Sequence, residues 1–183
     1  TVKAMALFEQ AAAKGSAHGQ YWLGLLSERE FGSHKIGEAA GWHLKAALQG
    51  HGPAMYELGR AYLWKDRGVP LDEAAAADWF EAAAQLGHWY GLHQIGEMYR
   101  NGTGRPADAK RAYFWYRAFE MRLPLPIGPS GLRSASERIE KELLPDERET
   151  IDRAAGAWRP MTFAELKGAC GRIKCPKALV EAK

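Results

Sequence analysis

The side chains best suited to chemistry in this chain are two cysteines and six histidines. Cys170 and Cys175 lie five residues apart, and they read either as a local disulfide, suited to an oxidising compartment, or as two unpaired thiols. On a continuous helix such positions point about 140° apart. A bridge therefore requires Gly171 to interrupt the helix, which glycine does readily. His51 and His88 stand directly after glycines in matching places, which marks turn residues rather than catalytic ones. His18, His34 and His43 stand in no pattern of four ligand groups, which a zinc site would need. Ser-x-x-Lys, Gly-x-Ser-x-Gly, His-Glu-x-x-His, Walker-type and Cys-x-x-Cys patterns are all missing. Gly102-x-Gly104 lacks a third glycine and follows a helical stretch. No catalytic residue, metal or cofactor is expected, and the protein reads as a non-enzyme.

What positions these residues is a repeat of 35 to 37 residues. Its core recurs as Gly19-Gln20-Tyr21-Trp22-Leu23-Gly24, Ala54-Met55-Tyr56-Glu57-Leu58-Gly59 and Gly91-Leu92-His93-Gln94-Ile95-Gly96. Trp42, Trp79 and Trp115 follow, each three residues after an alanine, and Gly50 and Gly87 come eight residues after the first two tryptophans. Leu7 stands at the same distance before Gly15, so residues 1–15 read as half a unit, with full units at 16–50, 51–87 and 88–122. A period of this size means stacked helical hairpins. In each unit the first helix carries the Leu-Gly or Ile-Gly pair. The second carries Trp with small residues at helical spacing, as in Ala76, Trp79, Phe80, Ala83 and Ala84. Asp72 and Asp108 mark helix starts after the glycine-rich and proline-rich turns. The stretch Phe31-Gly32-Ser33-His34-Lys35 lacks both acid and proline and should be the loosest turn.

Beyond Met121 the pattern stops. Pro124, Pro126 and Pro129 predict an extended connector over 123–133. Capping helices are expected over 134–160, with starts at Ser134-x-x-Glu137 and at Pro145. Thr162-x-x-Glu165 offers a further start in a tail, 161–183, that should be dispensable for the stack. The tail holds the whole basic excess. It has five Lys or Arg against two Glu, which leaves 20 basic and 20 acidic side chains in the first 160 residues of a chain of net charge +3. A neutral body argues against a nucleic-acid groove, which needs clustered cations. No apolar run approaches the roughly 18 residues of a membrane span, so a soluble protein is expected.

Residues Ala54-x-Tyr56-x-Leu58-Gly59-x-x-Tyr62, Gly68-Val69-x-x-Asp72 and Ala76-x-x-Trp79-Phe80-x-x-Ala83-Ala84-x-x-Gly87 resemble the Sel-one-like repeat, a relative of the tetratricopeptide repeat. The likeness runs over about residues 4–121. It implies an all-α, right-handed α-solenoid of stacked helix-turn-helix repeats with C-terminal capping helices, used as an adaptor in protein assembly, often in bacterial envelopes. Some secreted members carry one bonded cysteine pair per repeat and are linked to β-lactams. No repeat here contains a cysteine.

By analogy with such stacks, the first helix of each hairpin lines the concave face. Tyr21, Tyr56 and His93 would form one ladder across it and Leu25, Arg60 and Glu97 another, with Leu63, Trp64 and Arg100 one turn further on. The first ladder reads equally as packing between helices. Trp22, Trp64 and Trp89 are not required by the repeat, so they are either interface anchors or fillers of gaps between hairpins. The expected function is binding of a protein or peptide. Alternatives are an immunity protein that neutralises a secreted bacterial effector such as a phospholipase, and a β-lactam-binding or β-lactam-hydrolysing protein. The bacterial periplasm or cell envelope is the expected location, with the cytoplasm as the alternative.

Overall fold

A computed structural model describes residues 2–30, 36–64, 69–122, 136–171 and 173–181. Seven helices run through the repeats: α1 (Val2–Ala13), α2 (Ala17–Glu30), α3 (Ile36–Ala47), α4 (Gly52–Leu63), α5 (Glu73–Gln85), α6 (Trp89–Asn101) and α7 (Ala109–Glu120). They pack in chain order, as the hairpins α2–α3, α4–α5 and α6–α7 with α1 as a half unit in front. Four helical stretches follow: α8 (residues 136–140), α9 (Pro145–Ala157), α10 (Phe163–Ala169) and α11 (Lys177–Glu181). Among the described residues the sole β-type pairing is the bridge between Cys170 and Ile173. The fold is an all-α solenoid. The expected loose turn at Phe31–Lys35, the connector at 123–133 and the helix start at Ser134 lie outside the described residues.

Local chemistry sets the element ends. Gly15, Gly50 and Gly87 adopt the same left-handed backbone (φ +84°, +85° and +82°), which an L side chain would strain. Each closes its helix with a matching pair of bonds, as where Gly87 N–H reaches Ala84 O (2.8 Å) and His88 N–H reaches Ala83 O (3.0 Å). Asp72 accepts from Ala75 N–H (2.9 Å) and Asp108 from Arg111 N–H (3.0 Å), which caps α5 and α7. His51 caps α4 by accepting from Ala54 N–H (3.3 Å).

The glycine of each Leu-Gly or Ile-Gly pair is a socket for a ring on the second helix of the same hairpin. A Cβ on Gly59 would stand 2.7 Å from the Phe80 ring, and one on Gly96 would stand 3.0 Å from Tyr116. On Gly24 it would overlap His43. His43 thus holds the ring position one residue after the repeat tryptophan. It is buried, 3.8 Å from Glu28, and neither ring nitrogen has a hydrogen-bond partner among the described residues.

Of the three repeat tryptophans, Trp79 and Trp115 are buried in the core. Trp42 is only half-buried, with the Lys45 ammonium 3.9 Å from its ring centre. Trp158 closes the C-terminal end. It meets Trp115 edge-on (5.8 Å), lies under the Arg122 guanidinium (4.1 Å) and accepts a hydrogen bond from it through its carbonyl.

The tail is not an appendage. Leu166 (0% exposed) and Leu179 (2%) belong to the same core cluster as Ala46, Met55, Leu58 and Trp79. Met161 N–H donates to Gln85 O (2.7 Å), and Phe163 and Pro160 lie against Gly50 and Gly87. The Thr162–Glu165 capping box starts α10, and Gly171 (φ +113°) breaks the chain direction just after it. Cys170 and Cys175 are bonded to each other, with their Cα atoms 5.5 Å apart.

Candidate partner-binding site

The residues expected to bind a partner fall into two groups. The first lies at the N-terminal end of the stack. Trp22 stacks on Phe8 of the half unit (5.5 Å, 13° between planes) and donates from its indole nitrogen to His18 (2.8 Å). Tyr21 sits between His43 (5.8 Å) and His51 (4.8 Å). Burial, then the nearby Glu57 carboxylate, raises its hydroxyl above the ordinary range. Both side chains are half-buried and engaged with neighbouring helices.

The second group is continuous and open. The Arg60 guanidinium lies over both Trp64 (5.3 Å) and Tyr56 (6.0 Å), and is oriented by Glu57 through bonds of 2.8 and 3.2 Å. Tyr56 reaches across to the next hairpin, stacking on Tyr90 (5.5 Å, 26°). Tyr90 meets Trp89, and Trp89 stacks over Phe119 (6.3 Å). Trp64, Arg60, Tyr56, Tyr90 and Trp89 therefore form one path across two hairpins. Three of its members are exposed: Trp64 at 41%, Trp89 at 42% and Tyr90 at 47%. Leu63, by contrast, packs against the core. Tyr90 was not singled out from the sequence, although its place beside Trp89 at the start of α6 was the available signal.

His93, Glu97 and Arg100 make a polar cluster on the same helix. Glu97 accepts from Arg100 (2.6 Å) and from the Tyr116 hydroxyl, and lies 3.9 Å from His93. Burial lowers the His93 pKa and raises that of Tyr116, so around neutrality the imidazole is uncharged and the phenol protonated. Glu97 is thus engaged by both neighbours, whereas the buried Nε of Arg100 has no hydrogen-bond partner among the described residues. Among the described residues no three His, Cys, Asp or Glu side chains converge as a metal site, and no helix is long and apolar enough to cross a membrane.

The stacked hairpins, the left-handed turn glycines and the ring sockets define a helical-repeat protein of the tetratricopeptide-like class. A model of the Sel1 repeat matches residues 1–16, 17–51, 52–88 and 89–118, and the chain belongs to the Sel1 repeat family. Members of this family generally serve in protein–protein interaction. Two solved structures share the fold. One is c5321, a protective antigen present in uropathogenic Escherichia coli strains displaying an SLR fold, at 21% identity and a TM-score of 0.59 over 95% of this chain. The present chain spans 44% of that protein's length. The other is a Sel1 repeat protein from Oxalobacter formigenes, at 30% identity and a TM-score of 0.57, covering 61% of this chain and 85% of that one. No curated protein matches the sequence.

Proposed function

We propose that this protein is a non-enzymatic interaction module that holds a protein or extended peptide along the path Trp64–Arg60–Tyr56–Tyr90–Trp89. The observation that carries this reading is the exposure of three large aromatic side chains joined through Arg60 and Tyr56 across two hairpins. Trp, Tyr and Arg dominate interface energies, because each covers a large area and retains a polar handle. The half-buried Tyr21 and Trp22 take the lesser part, since their rings are already covered by α1 and by His51.

The Cys170–Cys175 bridge supports an oxidising location, the periplasm or cell envelope, because such bonds persist outside the reducing cytosol. A partner is then to be sought in that compartment.

The test is affinity capture from the native source with the wild-type chain, followed by affinity measurement on the captured partner with Trp64→Ala and Tyr90→Ala. Each should weaken binding by about 2 kcal/mol, the scale of an interface hot spot, with melting temperature little changed. Unchanged affinity in both variants would remove this face as the binding surface. A sharp drop in melting temperature would reassign Trp64 to the fold.

A further inference from the structure

A cleft of about 750 Å³ lies where the tail crosses α5, α6 and α7, away from the aromatic path. Its apolar lining comes from Phe114 and Trp115 of α7 and, in the tail, from Ile173, Val180 and the Cys170–Cys175 bridge. Glu81 and Tyr99, both buried, line its inner part. The Glu81 carboxylate is already held by Arg105 (2.8 Å), which also pairs with Asp78 (2.8 Å), and it accepts from the Tyr99 hydroxyl (3.4 Å). Burial pushes the Glu81 carboxyl above its ordinary pKa, while the Arg105 guanidinium works against that shift. Two exposed cations, Arg111 and Lys174, complete the lining. Arg111 is turned inward by its bond to the Tyr99 hydroxyl (3.0 Å), with Asp108 at 3.4 Å on its other side.

The volume is that of a small-molecule site, and its pattern of apolar walls with a few oriented polar groups is the usual one. The lining carries two cations and one carboxylate, and that carboxylate is occupied. Arg111 is already shared with Asp108, so among the described lining residues Lys174 is the cation outside any ion pair, and the unmatched charge corresponds to about one anion. Arg111, with Nη1 on the Tyr99 hydroxyl and Nε facing Asp108, keeps Nη2 for a carboxylate oxygen, and the aromatic, aliphatic and disulfide lining suits a flat apolar body. Half of the cleft is built by the tail, so the site belongs to this chain rather than to the repeat.

We propose that this cleft binds a monocarboxylate with a flat apolar body, the body seated against Phe114/Trp115 and Ile173/Val180, and the carboxylate between Arg111 and Lys174. A free organic acid and the C-terminal residue of a polypeptide present the same chemistry.

Calorimetric titration of the full chain tests this with three probes: 3-phenylpropionate, its primary amide, and a tripeptide ending in phenylalanine with a free carboxylate. Saturable one-to-one binding of at least one acid is expected, with the amide weaker by about tenfold or more for the lost charge-assisted bonds. Lys174→Gln should weaken the acid by about fivefold, the scale of a partly exposed ion pair. Lys141→Gln removes the same charge from an exposed position outside the cleft lining and should leave binding unchanged. Binding of the tripeptide alone assigns the carboxylate to a chain terminus, and binding of the free acid alone assigns it to a small molecule; either sustains the site. Absence of saturable heat with both acids at millimolar concentration, equal binding of acid and amide, or equal loss in the two lysine variants overturns it.

Discussion

Alanine substitution should act in opposite directions at two helical glycines of this protein. Gly59, in α4, faces the Phe80 ring: a Cβ there would lie 2.7 Å from two ring carbons and 2.9 Å from a third. Comfortable carbon–carbon separation begins near 3.5 Å, so the ring or helix must move by about 0.8 Å. Phe80 is fully buried and packed against Tyr56 (5.4 Å), which leaves it little room. Overpacking of this kind costs about 1–3 kcal/mol, against a helix-propensity gain of about 1 kcal/mol. Gly59→Ala should therefore destabilise by about 1 kcal/mol. Gly41, in α3, is exposed and has nothing within 4 Å of its Cβ position. Only the propensity gain applies, so Gly41→Ala should stabilise by about 0.5–1 kcal/mol. The two variants should differ by about 2 kcal/mol, or roughly 4–8 °C between melting curves for a chain of this size. Urea denaturation followed by far-ultraviolet circular dichroism measures both on one scale. If Gly59→Ala is as stable as Gly41→Ala, the ring yields without cost and the socket does not explain the glycine.

Acid should weaken the protein through its turn histidines. His88 is pushed down from 6.5 to about 4 and His51 is lowered too, in both cases mainly by burial. Each binds its proton less readily in the folded state, so their contribution to stability is complete above pH 6.5 and declines as pH falls through the folded values. For His88 the loss is on the order of 3 kcal/mol by pH 4. His88→Asn should flatten this part of the stability–pH curve, and an unchanged slope would count against the assignment. In the tail, Leu166→Ala should cost about 3 kcal/mol as a fully buried leucine truncation. Leu7→Ala, at an exposed site, should stay within about 0.5 kcal/mol. Equal urea midpoints for the two would show that the tail is not docked in solution.

The repeat was legible in the sequence because its demands are local. A left-handed turn needs Gly50 and Gly87, a helix start uses Asp72 or Asp108, and α9 begins at Pro145 as the pattern indicates. The burial of His43 was also within reach, since it occupies the position of Phe80 and Tyr116. The docking of the tail was not legible. Leu166, Ile173 and Leu179 follow no period across the breaks between α10 and α11, and their partners lie some hundred residues earlier in the chain. The aromatic path was half legible. Trp64 and Trp89 stood out as departures from the repeat, but joining them requires Tyr56 to meet Tyr90 between hairpins, and that contact depends on how successive units stack. The same applies to Trp22, whose engagement with Phe8 arises only once α1 is laid beside α2.

The docked tail also bears on how the molecule folds. In a simple solenoid each unit meets only its neighbours, so stability is a sum of local terms and the ends can fray independently. Here residues near the C-terminus complete a cluster whose other members begin at Ala40 and Ala46. Those contacts close a long loop and raise the contact order, which slows folding. They also link the first two hairpins to the last helices, so that loosening one part exposes surface on the other, and a stack of separable units unfolds more nearly as one body.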